Sequence, residues 1–86
     1  MGGHFMEKII SIEYCTSWGY LKRAVALTEN ILNEHKNAIN MVKIIPSSGG
    51  VFEVKFGDEL IFSKKALDRF PEENEVENII KEKLKE

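Results

Sequence analysis

The chain has 86 residues, a formal net charge of -2 and a hydrophobic fraction of 43%, enough for one small core and not for a second. Its only cysteine, Cys15, excludes an intrachain disulfide framework and any multi-cysteine zinc site. The acidic balance, with a pI near 5.7, argues against a nucleic-acid partner, and no apolar run approaches the roughly 20 residues of a membrane span.

Met1–Phe5 shows no periodicity and reads as a loose leader or cloning scar, with Met6 a natural start and 6–86 one domain. The lone cysteine, with nothing like a signal peptide ahead of it, fits a reducing, cytoplasmic setting. From Lys8 to Tyr14, Ile9, Ile10, Ile12 and Tyr14 give strand composition, broken by Ser11 and Glu13. Cys15-Thr16-Ser17-Trp18-Gly19 follows as a turn, with Thr16 and Ser17 as candidate N-caps.

Leu21, Ala24, Val25, Thr28, Ile31 and Leu32 then recur at helical spacing and predict an amphipathic helix over Tyr20–His35, its stripe widened by Tyr20 and Leu27. Asn37 is a candidate left-handed stop. Ile39–Ile45 reads as a second, mostly buried strand, and Pro46-Ser47-Ser48-Gly49-Gly50 as a loop. Val51–Phe56 alternates, with Phe52, Val54 and Phe56 on one face. Gly57-Asp58 fits a two-residue hairpin turn of type II′, and Glu59–Ser63 returns as its partner strand. Lys64–Phe70 reads as a polar connection in which Lys64, Lys65 and Arg69 are solvated. Pro71 is expected to open the last helix, with Asn74 and Glu77 as an alternative capping-box start and Val76, Ile79, Ile80 and Leu84 as its stripe.

The order β-α-β-β-β-α predicts an α/β (α+β) two-layer sandwich. The strand-helix-strand unit should make a parallel pair and the hairpin should complete a mixed four-stranded sheet. Cys15 falls at the carboxyl end of a parallel strand, where such sheets keep their sites. A thiol there meets unpaired N–H groups and the positive end of a helix dipole, which favour thiolate. Lys22 and Arg23 are placed to add to this and Glu13 to oppose it. Against that stands the ordinary burial of free cysteine as a small hydrophobe.

Several stretches together resemble the selenoprotein W family, also called Rdx or SelT/SelW/SelH-like. They are Tyr14-Cys15 at a strand end, Gly49-Gly50-Val51-Phe52-Glu53-Val54, Ser63-Lys64-Lys65, and Phe70-Pro71 before a terminal helix. The resemblance covers Lys8–Leu84 and implies a thioredoxin-like fold with thiol or selenol redox chemistry at the first strand-to-helix turn. This chain departs from the family at the second redox position, which is Trp18. Without a neighbouring thiol to resolve a mixed disulfide, oxidoreductase-like activity needs an external partner, a low-molecular-weight thiol or another protein. The chain also lacks a proline directly before the Val51 strand, unlike ordinary thioredoxins, and Pro46 lies too far upstream to fill that place.

Cys15 is therefore the expected reactive group, with Trp18, Ser48, Gly49 and Gly50 as the expected substrate- or partner-binding residues. Trp18 has a plainer reading too, that it packs a half-buried turn. No cofactor and no metal are expected, His4 and His35 being too isolated to share an ion. The other reading of the whole is a redox-inactive binding module whose Cys15–Trp18 loop is a protein contact surface. An open sheet edge and the apolar stripe of the last helix leave room for a homo-oligomer.

Overall fold

The computed structural model describes residues 7–86, so the expected leader Met1–Phe5 lies outside it. The elements in order are β1 (Ile9–Cys15), α1 (Tyr20–His35), a 3-10 turn (Lys36–Ala38), β2 (Met41–Ser47), β3 (Phe52–Phe56), β4 (Glu59–Ser63), α2 (Lys64–Leu67) and α3 (Glu75–Leu84). The four strands form one mixed sheet in the order β2-β1-β3-β4. β1 pairs parallel with β2, from Ile9↔Met41 to Cys15↔Ser47, and antiparallel with β3, from Ile10↔Phe56 to Tyr14↔Phe52. With partners on both sides, the β-branched run of β1 has its backbone groups satisfied at the centre of the sheet.

One face of the sheet is covered. Ile10, Ile12 and Tyr14 of β1 join Phe52, Val54 and Phe62 and are sealed by Ala24, Leu27 and Ile31 of α1 and Val76 and Ile80 of α3. Each fully buried isoleucine contributes roughly 1.5–3 kcal/mol of transfer free energy, so this one layer carries most of the fold. The other face is open, and Ser11, Glu13, Ile45, Glu53 and Lys55 line a shallow depression on it.

The one-sided architecture explains where the chain departs from its sequence pattern. β2 spans Met41–Ser47 rather than Ile39–Ile45, and it is half exposed because it is an edge strand uncovered on its far face. Pro46 belongs to this strand and not to the loop, a position open to proline only at a sheet edge. On α1, Leu21, Val25 and Leu32 are exposed. They lie on the flank opposite Arg23, Ala26 and Asn30, the side that faces α3, so among the described residues no second helix packs over them.

The ends of the elements differ as well. Neither Thr16 nor Ser17 caps α1; Gly19 occupies that place in a left-handed conformation. The turn after α1 takes its positive φ at Lys36, and Asn37 lies in the 3-10 turn. Lys64–Leu67 is a short helix capped by Ser63, whose hydroxyl accepts from Ala66 N–H at 3.0 Å. Pro71 does not begin α3. The helix starts at Glu75 after Asn74, and instead of an Asn74–Glu77 capping box it is Glu75 that accepts from Glu72 N–H at 2.9 Å.

The hairpin is as its sequence predicts, with Phe56 paired to Glu59 and Gly57 at φ 60. Only the first of its two central residues is left-handed, as type II′ requires. Further along, the register of β3 and β4 slips between Val54/Lys55 and Phe62/Leu60, leaving Ile61 as the extra residue of a bulge.

Candidate functional site

Cys15 ends β1 at the carboxyl edge of the sheet. Its backbone N–H donates to Val51 O at 2.9 Å, and Thr16 N–H donates to Ser47 O at 3.1 Å. Both ends of the Ser48–Gly50 loop are thereby bound to the Cys15–Thr16 segment. Gly49 (φ 78) and Gly50 (φ 71) take consecutive left-handed conformations that let the loop fold this tightly. A side chain at Gly50 would also meet the Tyr20 hydroxyl.

The thiol is 2% exposed. Its pKa is held below the ordinary value first by the Ser17 backbone N–H. Burial opposes this, while the Gly50 N–H, the Ser17 hydroxyl and the Lys64 ammonium add to it. Ser17 thus serves the thiol rather than the helix, and the assisting cation is Lys64 in place of the expected Lys22 and Arg23. The direction is the one a thiolate nucleophile needs.

Trp18 does not pack the turn. It is 78% exposed with φ 59, and Gly19 follows at φ 76. Tyr20 N–H reaches back to Ser17 O at 3.4 Å, closing a turn whose two central residues are both left-handed. That conformation is easy for Gly19 and strained for a bulky residue. The indole is thus turned outward, tilted against Tyr20 with ring centroids 6.2 Å apart.

Behind this turn lies a cluster that periodicity does not reveal. Phe70 stacks edge-on to Tyr20 at 4.8 Å and to Phe52 at 5.4 Å. Arg23 lies over the Phe70 ring at 3.9 Å, and Lys64 stands 5.6 Å from Tyr20 and 5.5 Å from Phe70. Lys64 is half-buried rather than a solvated surface charge, and Arg69 is bound bidentately by Glu75 at 2.7 and 3.0 Å. The legible signal was Ser63 ahead of Lys64-Lys65-Ala66, an N-cap that fixes the start of a helix.

Of the residues expected at the site, Cys15 and Gly50 are brought into contact. Ser48 and Gly49 lie on the exposed outside of the loop, and Trp18 on the outside of the facing turn. Among the described residues no group of three or more His, Cys, Asp or Glu is disposed to hold a metal, and His35 is engaged with the Glu77 carbonyl at 3.2 Å. No helix among them is long and apolar enough to cross a membrane.

The fold is similar to those of solved structures. A selenoprotein W-related protein from Vibrio cholerae superposes with a TM-score of 0.85 at 24% identity, over 91% of this chain and 98% of that one. A protein from Bordetella parapertussis superposes with a TM-score of 0.77 at 24% identity, over 92% and 95% of the respective chains. At that identity the likeness fixes the thioredoxin-like fold. No curated protein sequence matches the chain. The model of the Rdx family matches residues 9–82, from the first residue of β1 into the last turn of α3, and the chain belongs to that family.

Proposed function

We propose that this is a thiol redox protein with one reactive sulfur, acting through mixed disulfides with an external low-molecular-weight thiol. The observation that carries the reading is the environment of Cys15: two backbone N–H groups, a hydroxyl and an ammonium favour the thiolate against burial. The thiolate attacks one sulfur of a small disulfide. A Cys15–sulfur bond forms as the original disulfide breaks, and the second sulfur leaves as a thiolate. Trp18 stands where a resolving thiol would be needed, so an external thiolate attacks the mixed disulfide and restores Cys15. Because the thiol is 2% exposed, the 16–19 turn must give way to admit the disulfide.

The test is the rate of iodoacetamide alkylation against pH, with mass spectrometry after exposure to glutathione disulfide. The reading expects a midpoint below the free-cysteine value of about 8.5 and one glutathione adduct removed by excess thiol. A midpoint at or above that value, with no adduct, overturns it.

Trp18 supports a second reading, that of a binding module whose redox role is lost. An outward-facing tryptophan in a strained turn is a suitable anchor for a partner protein. Under that reading Cys15→Ser retains partner capture while Trp18→Ala loses it; under the first, Cys15→Ser abolishes the adduct.

A further inference from the structure

Between α1 and the segment leading into α3 lies an open groove of about 230 Å³ that neither Cys15 nor Gly50 lines. Leu27 and Phe52, both buried, provide apolar wall, and Glu77 of α3 also lines it. Glu77 is only 4% exposed, yet its carboxylate has no hydrogen bond or ion pair among the described residues. No unpartnered side-chain oxygen among those residues is wholly cut off from solvent, so the Glu77 carboxylate keeps part of that small exposure. The first turn of α3 favours a carboxylate through the helix dipole, yet no donor among the described residues meets it, and a mostly buried carboxylate gains from a partner.

The rest of the lining indicates the sign of that partner. Glu72 and Glu73 add two exposed carboxylates, the first also within the field of Arg69, while the one cation of the lining, Arg23, is laid on the Phe70 ring at 3.9 Å. At about 230 Å³ the space is small for a ligand pocket and adequate for a short alkyl chain. We propose that this groove binds a small organic dication of the α,ω-diamine class. One ammonium is held by Glu77, the alkyl chain lies on Leu27 and Phe52, and the second ammonium reaches Glu72 and Glu73. None of the three carboxylates acts on Cys15, although Phe52 and Arg23 also touch the Phe70 ring behind the Cys15 turn.

Isothermal titration of the full chain with 1,4-diaminobutane, and with butylamine as the single-ammonium reference, tests this. The wild type binds the diamine more tightly than butylamine. Glu77→Gln weakens both at least tenfold, as loss of a charge-assisted hydrogen bond requires. The double variant E72Q/E73Q alters only exposed groups, and it weakens the diamine more than butylamine and so erases the preference between them. If Glu77→Gln does not fold, the double variant decides: a collapsed preference supports the site and an unchanged one overturns it. Failure of the wild type to bind the diamine at about 10 mM overturns it, as does a Glu77→Gln protein that binds as the wild type does.

Discussion

The Ser63 hydroxyl donates to Glu53 Oε1 at 2.6 Å across the β3–β4 pair. The same hydroxyl accepts from Ala66 N–H at 3.0 Å, and Glu53 Oε2 accepts from Lys65 N–H at 3.2 Å. Glu53 and Ser63 together fix the first turn of α2 and with it Lys64, the cation nearest in effect to Cys15. Ser63→Ala removes the cap and should cost about 0.5–2 kcal/mol in urea unfolding. It should also raise the pH midpoint of Cys15 alkylation, because Lys64 is no longer held.

Ser17 and Lys64 act on the thiol separately. Ser17→Ala and Lys64→Gln should each move the alkylation midpoint upward, and the pair should move it further than either alone. The backbone N–H of Ser17 survives both changes, and it is the largest of the contributions. The midpoint of the double variant should therefore still lie below that of Cys15 in the urea-unfolded chain. An unshifted midpoint for Lys64→Gln would assign the whole effect to Ser17 and the Gly50 N–H.

Glu75 predicts an acid-side dependence of stability. Its carboxyl is held below the usual carboxylate range first by the Arg69 guanidinium and then by the Glu72 N–H. A depressed folded-state pKa contributes stability that is fully present above the unfolded carboxylate value. That stability is lost as pH falls through the lower folded value. The urea midpoint of the wild type should fall between pH 7 and pH 3 by more than that of Glu75→Gln. Equal falls would show that the Arg69–Glu75 pair is not linked to folding.

Trp18→Gly should stabilise the domain. The indole is exposed and its φ of 59 suits glycine, so relief of backbone strain, about 1 kcal/mol, exceeds the packing lost against Tyr20. Chemical denaturation reads the gain directly. If Trp18 anchors a partner, the same variant loses capture as it gains stability.

Ile80→Ala tests the one-sided core. Ile80 is fully buried beneath α3, and truncation should cost about 2–5 kcal/mol, a large share of the stability of a domain this size. Ile79, on the half-buried flank of the same helix, should cost clearly less.

The strands, the two long helices and the hairpin were legible because each writes its own periodicity. Ile10, Ile12, Val54, Val76 and Ile80 fall where alternation and helical spacing put them. What periodicity does not encode is which side of an element its neighbours cover. Met41 and Ile45 read as buried because parallel strands usually have both faces covered; here the sheet is covered on one face and β2 lies at its edge, so both are exposed while Ile44 packs against the core. At the site, Cys15 and the glycine loop were visible as a strand end and a pair of turn residues. The Tyr20, Phe70, Arg23 and Lys64 cluster was not, since it joins segments far apart in the chain, and Trp18 looked like packing because nothing local shows a left-handed backbone.

Pro46 has a consequence beyond its own place in β2. The strand tolerates it because the nitrogen faces away from β1, which with a two-residue period puts the Val42 and Ile44 N–H groups on the same outer edge. A strand from a second molecule could take those donors and would meet a gap at Pro46, beside Tyr14 and one residue short of Cys15 in the register. Edge-to-edge pairing is thus stopped just before it reaches the thiol. Any such assembly would leave the Cys15 end of the sheet uncovered.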